Sequence, residues 1–319
     1  MKKSIFAFAA ALAALVACNK NEATPMQPQD QEPLVPCELT VGISGAMTKA
    51  TAVTADNEAK VNRLQVFVFR GDDLDAYASV ENAKELTLSC TAGERVVYAL
   101  VNAPDYSTVP GKAALLAKVS ELEANTLTNF EMVGSKTVTL PQSEKVSIDV
   151  NRIASRVVLK KITRSFTSAA LQALDFTVDA IYLVNVAGNT SYDLTAAPTT
   201  WYNVAENKNE LASLLYDAPA SLITNGQSYS TAHTFYAYPN DLATNTTRRV
   251  IETTRGETKY YYPINLPEMA ANKSYEIEEV KITRPGSDNP DEPVSFADAS
   301  FSINVIDWTV VPVTEGTTI

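Results

Sequence analysis

"VNRLQVFVFRGDD", residues 61–73, is the stretch from which the fold class follows. Leu64, Val66 and Val68 recur at every second position, and the run closes on Gly71-Asp72-Asp73, a turn composition. A period of two in β-branched and aromatic residues, ended by a turn, reads as a strand. Working upstream, "CELTVGIS" (37–44) alternates in the same way, with Leu39, Val41 and Ile43 on one face. Downstream come "KELTLSC" (84–90), "RVVYALVNAP" (95–104), "KTVTL" (136–140), "KVSIDV" (145–150) and a longer run, "RIASRVVLKKITRS" (152–165). Between them "GKAALLAKVSELEANT" (111–126) spaces Leu115, Leu116, Val119 and Leu122 as one face of a short helix.

The second half repeats this outline. "DFTVDAIYLVNVAGNT" (175–190) echoes 61–73, and "HTFYAYPND" (233–241) echoes "VVYALVNAPD" (96–105). "ENKNELASLLYD" (206–217) is a second short helix candidate carrying Leu211, Leu214 and Leu215. "TRRVIETTRGETKYYYPINL" (247–266) reads as a hairpin turning at Arg255-Gly256-Glu257, and "KSYEIEEVKITRPG" (273–286) and "FSINVIDWTVVPV" (301–313) complete the set. Many short strands and little helix predict a mainly β chain: two β-sandwich domains, 37–165 and 166–319, with a few short helices.

The chain has 319 residues, 45% hydrophobic, and a net charge of −11, which is enough apolar material for two cores and the wrong sign for nucleic acid. After the first residues no apolar run reaches the length of a membrane-spanning helix. Residues 1–18 read as a lipoprotein signal peptide: Lys2 and Lys3, the apolar "SIFAFAAALAALVA", then Leu15-Val16-Ala17-Cys18. That ending resembles a bacterial lipobox, and an ordinary secretory signal with an incidental cysteine is the alternative. Acyl chains on Cys18 would hold the precursor at a membrane without a spanning helix. Residues 19–36, polar and Pro-rich, read as a flexible tether.

Candidates for chemistry are few. Cys37 and Cys90 allow a single disulfide, or are two separate thiols in strands. One histidine, His233, with no partner motif gives no catalytic triad and no metal set. Asp72, Asp73 and Asp75, and Asp288, Asp291 and Glu292, are better read as solvated turns than as calcium loops. Tyr260, Tyr261 and Tyr262 read as a strand with one ring inward rather than a sugar platform. No phosphate-binding glycine motif is present, no carboxylate pair can be nominated, and neither enzyme activity, cofactor nor metal is expected.

The ordered set of a lipobox, a tether, "VNRLQVFVF", "YALVNAP", "NRIASRVVL", "FYAYPN", "NLPEMAANKSYEI" and "VIDW" resembles the fimbrillins of Bacteroidales, the major subunits of type V pili. The resemblance implies two transthyretin-like β-sandwich domains and a surface fimbria built from identical or related subunits, head to tail, with adhesion to a host or bacterial surface ligand. It also implies that a trypsin-like surface protease cuts after a basic residue beyond the first strand, residues 37–49, and that a terminal strand of the next subunit fills the gap. In the best-known members that residue is an arginine; the matching position here is Lys49, so the mature chain would begin at Ala50. Arg63 is the rival cut site, within a strand where a protease cannot easily reach. Cleavage after Lys49 would remove Lys2, Lys3, Lys20 and Lys49 with Glu22, Asp30, Glu32 and Glu38, leaving the net charge unchanged. Leu39, Val41 and Ile43 would be the displaced residues, and Val310, Val311 and Val313 in 309–319 the donated ones. A Cys37–Cys90 bond would tie the departing strand down, which favours free thiols. A subunit that keeps its first strand would instead be a lipoprotein anchor or a glycan- or host-binding adhesin.

Overall fold

A computed structural model describes residues 34–45, 55–204, 208–241, 245–292 and 299–308, and from Val35 onward they form one compact unit. The stretch that opened the reading forms a hairpin. Strand β2 (Arg63–Arg70) turns through Gly71, in a left-handed conformation (φ +63°) that glycine adopts freely, into β3 (Asp73–Glu81). Leu64, Val66 and Val68 are fully buried, but so are Gln65, Phe67 and Phe69. The second face is covered because Gln65 Nε2 donates to the carbonyls of Ala103 and Pro104, while Tyr77 packs on Phe67 at 4.9 Å between ring centroids.

Strands β1 (Pro36–Gly45), β4 (Glu85–Thr91), β5 (Gly93–Val101), β7 (Met132–Leu140) and β8 (Val146–Arg152) join this hairpin in the order β3-β2-β5-β7-β8-β1-β4. All neighbours are antiparallel except β1 and β8. Strands β7 and β8 pair only at Met132↔Arg152 and Val133↔Asn151 and then separate, so the ladder divides into two layers, β3-β2-β5-β7 and β8-β1-β4. Their buried residues belong to one continuous apolar cluster, as in a sandwich.

The remaining strands form further sheets. Strand β9 (Ser155–Leu159) lies between 233–237 and 273–277, with 303–307 beyond; β10 (Ile162–Arg164) lies between 228–229 and 280–282; β11 (Phe176–Val184) pairs with 248–255, which pairs with 258–265. Within the named sheets β9 and β10 pair only with strands from residue 228 onward, so on strand pairing the change of sheet falls between Arg152 and Ser155, ahead of the expected border near 165. The apolar run 152–164 is not one long strand either: Lys160 and Lys161 interrupt it. The expected helix over 111–126 is confined to Lys112–Leu116, because β6 (Val119–Glu121) leaves the helical path to pair with Asn189–Ser191. In 206–217 helix extends over Ala212–Leu215, with Leu214 and Leu215 buried. Of the tyrosine run, Tyr262 points inward and Tyr260 and Tyr261 are half-buried.

Candidate functional site

Strand β1 is an internal strand, and its residues explain its place. Leu39 and Val41 are 2% and 0% exposed, Cys37 and Ile43 are half-buried, and Glu38 faces outward. On one side β4 pairs with it from Pro36↔Thr91 to Gly42↔Glu85; on the other β8 runs parallel from Val41↔Val146 to Gly45↔Val150. Among the described residues β4 has no ladder neighbour other than β1, and β8 has β7 only at its last two residues. Removal of β1 would therefore bare two unpaired backbone edges over Leu88, Cys90, Val146, Ile148 and Val150, all buried. An unpaired edge above an apolar strip is what an added strand recognises.

The fastenings around β1 are modest. Thr40 and Thr87 hydroxyls meet at 2.9 Å, and Ser44 donates to Asp149. Lys145 Nζ reaches Glu85 Oε2 at 2.7 Å, bridging β8 and β4 over Gly42, where a Cβ would come within 3.0 Å of the lysine chain. Both partners are half exposed, so the bridge contributes no more than about 1 kcal/mol. Strand β1 ends at Gly45, whose φ of +93° and approach to the Val150 carbonyl, 2.8 Å from an added Cβ, leave no room for a side chain.

The far end of β4 is held independently of β1. Asp75 accepts from the Thr91 backbone N–H (2.9 Å), the Thr91 hydroxyl (2.7 Å) and Arg95 Nε (3.1 Å), and Arg95 also donates to the Ala92 carbonyl. Burial raises the Asp75 pKa, but the hydrogen bonds from Thr91 and Arg95 outweigh it, and the carboxyl titrates below its ordinary value. Cys37 and Cys90 stand opposite each other in the β1–β4 ladder as free thiols, 3.7 Å between sulfurs. Burial, and then the Cys37 thiol, push Cys90 up to about 12.

The other sequence candidates have local employment. Asp72 accepts from the Ala113 backbone N–H, Asp291 pairs with Arg248, and Glu292 accepts from Ser287. Among the described residues no three His, Cys, Asp or Glu side chains are grouped to hold a metal. His233 is buried between Asp217 (Nδ1–Oδ2 2.6 Å) and the Tyr229 hydroxyl (3.0 Å). Arg63 is the first residue of β2, paired with Glu81 and Asp105. Cys18, Lys49, Ala50, Val310, Val311 and Val313 lie outside the described residues. Sequence reading missed one cluster: Glu58, Arg152, Arg156, Tyr236 and Trp308 come together in the interior.

Comparison with known proteins agrees with the fold. The profile of the major fimbrial subunit protein (FimA) family matches residues 37–211. The major fimbrium subunit FimA type-2 of Porphyromonas gingivalis is 25% identical over 238 residues, 63% of this chain and 59% of that protein. The chain spans less than two thirds of the curated relatives it matches first: 33%, 59% and 25% of their lengths. A candidate cell adhesion protein of Bacteroides eggerthii superposes with a TM-score of 0.69 at 22% identity, over 88% of this chain and 98% of its own. A fimbrilin of P. gingivalis W83 gives 0.62 at 16%, over 86% and 98%. At these identities the structural matches speak for the fold, a mainly β, fimbrillin-like sandwich.

Proposed function

We propose that this chain, which belongs to the major fimbrial subunit protein (FimA) family, is a structural subunit of a surface fimbria that polymerises by strand exchange. The family is one of structural fimbrial subunits and not of enzymes. The observation that carries the proposal is the position of β1, an internal strand that buries Leu39 and Val41 and, among the described residues, is the only ladder partner of β4. In this reading the chain reaches the outer membrane acylated at Cys18, and a trypsin-like surface protease cuts between Lys49 and Ala50. Strand β1 then leaves, and residues 309–319 of a neighbouring copy take its place through Val310, Val311 and Val313. The division into two sandwiches is retained, with the border moved to 152–155.

The energetics suit such a sequence of events. Full burial stabilises by about 1.5–3 kcal/mol each for side chains like Leu39 and Val41, and Cys37 and Ile43 add less. While β1 is attached, its effective concentration at the groove is on the order of millimolar or more, and no competitor displaces it. The cut removes that advantage and leaves a groove to be filled by another alternating strand. Donation from one copy to the next is heterologous and open, so it builds a filament.

The experiment is N-terminal sequencing of protein from the cell surface, with Lys49→Ala beside it. The expected result is a start at Ala50 in polymers, and an uncut, monomeric variant. An acylated Cys18 on an uncut, unpolymerised natural chain would refute the proposal. It would favour the alternative, a lipoprotein that anchors a pilus or binds a glycan or host surface.

A further inference from the structure

The cluster that the sequence concealed has a place in the assembly step. Trp308 is fully buried, although residues 304–307 just before it are exposed. Its ring stacks on Tyr236 (5.7 Å, 27°), meets Phe130 edge-on (5.5 Å) and lies beneath the Arg152 guanidinium at 4.4 Å. Its indole N–H donates to Glu58 Oε2 at 3.1 Å. The Trp308 backbone is held at both ends: its N–H donates to the Asn272 carbonyl (2.9 Å), and its carbonyl accepts from Arg152 Nη1 (3.2 Å).

Glu58 is the other half. Its side chain is 0% exposed; Oε1 accepts from the Tyr236 hydroxyl (2.5 Å) and Oε2 from Arg156 Nη1 (3.1 Å), while its carbonyl accepts from Arg152 Nε (3.0 Å). A buried carboxylate is tolerated only with such partners. Glu58 closes the short helix Ala55–Glu58 and is the ninth residue after Lys49. Among the described residues, the buried one nearest the expected new N-terminus thus touches the residue that precedes 309–319. Within this cluster no member belongs to β1, so nothing in it leaves when β1 does.

We propose that Glu58, with Arg152 and Arg156, acts as a clamp on Trp308 that fixes the point and direction at which the donated segment leaves the subunit. This rests on the strand-exchange reading and deepens it, since it assigns Glu58, Arg156 and Trp308, which lie outside the groove, and the side chain of Arg152 to the donor function. The groove of the same subunit is lined by β4 and β8 side chains that the clamp does not touch, apart from Arg152 at the last residue of β8. An anchored root holds the donor segment near its working direction and lowers the ordering cost of docking.

The clamp is tested with full-length chains that can play only one part. A donor carries Lys49→Ala and so keeps β1; an acceptor is cut after Lys49 and carries Val311→Asp with Val313→Asp. Their one-to-one complex is followed by size-exclusion chromatography and native mass spectrometry. Glu58→Gln, and separately Trp308→Phe, are placed in the donor or in the acceptor. Loss of preorganisation predicts complex formation about tenfold slower or more with the change in the donor, and altered less than about twofold with it in the acceptor. Equal slowing in both roles would reduce the cluster to a support of the fold and overturn the proposal, as would no slowing in either. If the unaltered pair forms no complex, strand exchange itself fails and the clamp falls with it. That outcome is separate, because it appears before any clamp residue is changed.

Discussion

Leu39→Ala separates a strand that stays from one that leaves. Leu39 is 2% exposed and sits opposite Leu88, itself 7% exposed, in the β1–β4 ladder. A buried Leu→Ala change removes the transfer energy of the lost methyls and leaves a cavity, for a cost of about 2–5 kcal/mol. All of that cost falls on the uncut precursor. Guanidinium unfolding of the Lys49→Ala chain should shift to lower denaturant by that amount when Leu39→Ala is added. Once the natural chain is cut, β1 should leave faster by roughly thirtyfold at the low end of the range, since about 1.4 kcal/mol corresponds to tenfold. The polymer should not notice, because residue 39 is no longer in it. Heating polymers in detergent should give the same dissociation temperature with and without the substitution. A polymer weakened as much as the precursor would mean that β1 remains in the assembled subunit, and the reasoning would be wrong. So would a precursor that Leu39→Ala does not weaken.

Oxidation by a protein disulfide donor should join Cys37 to Cys90, two thiols giving one disulfide while the donor is reduced; Cys37, half-exposed, attacks the donor's disulfide to form a mixed disulfide, and Cys90 then attacks the Cys37 sulfur and releases the donor as a dithiol. After cleavage such a chain should retain the fragment ending at Lys49 on a non-reducing gel, release it on reduction, and polymerise only then, whereas Cys37→Ser polymerises under both conditions. Gly45→Ala, strained at φ +93° and against the Val150 carbonyl, should weaken the end of β1 by about 1–3 kcal/mol, read as faster cleavage at Lys49. Burial holds His233 below the usual imidazole range despite the Asp217 hydrogen bond. The unfolded chain therefore takes up this proton first, so the contribution is complete above about pH 6.5 and declines as the pH falls below it. The fall in denaturation midpoint between pH 7 and 5 should be smaller in His233→Gln.

Strands were legible in "CELTVGIS", by its alternation, and in "VNRLQVFVF", by its β-branched and aromatic residues, although the latter proved to be buried on both faces. Which strands lie beside β1 was not. Its parallel pairing with β8 joins residues about a hundred positions apart, and nothing local in either run encodes it. Local spacing also misled at 111–126, where Leu115 is buried by a short α-helix and Leu122 by a separate 3-10 turn; backbone pairing of Val119–Glu121 with Asn189–Ser191 divides them. The 152–165 run read as one strand because its apolar residues outweigh Lys160 and Lys161, whose charges are met by Glu276, Glu278 and Glu279 far along the chain. The clamp was invisible for the same reason: Glu58 and Trp308 are 250 residues apart, and the run "VIDW" that ends on Trp308 says nothing of its partner.

A strand can be well buried and still expendable only if what it covered keeps its shape, at least until a replacement arrives. Two features make that reasonable here. Strand β4, otherwise released with β1, is held at Thr91 by Asp75 and Arg95, a pair almost withdrawn from water (7% and 4% exposed). Breaking one member of such a pair costs about 3–5 kcal/mol, more than the loss of any single surface contact of β1. At the other end, the last two residues of β8 pair with β7 at Met132↔Arg152 and Val133↔Asn151, and Asn151 accepts from Asn272 Nδ2 (2.9 Å), none of which departs. The groove is therefore pinned at opposite corners by contacts that do not include its occupant. The same Arg152 that steadies the end of the groove also holds the root of the donor, so empty groove and outgoing strand share one rigid point. A subunit built in this way keeps its acceptor edge and its donor in a fixed relation whether β1 is present or gone, and repetition of a fixed relation gives a regular fibre rather than a tangle.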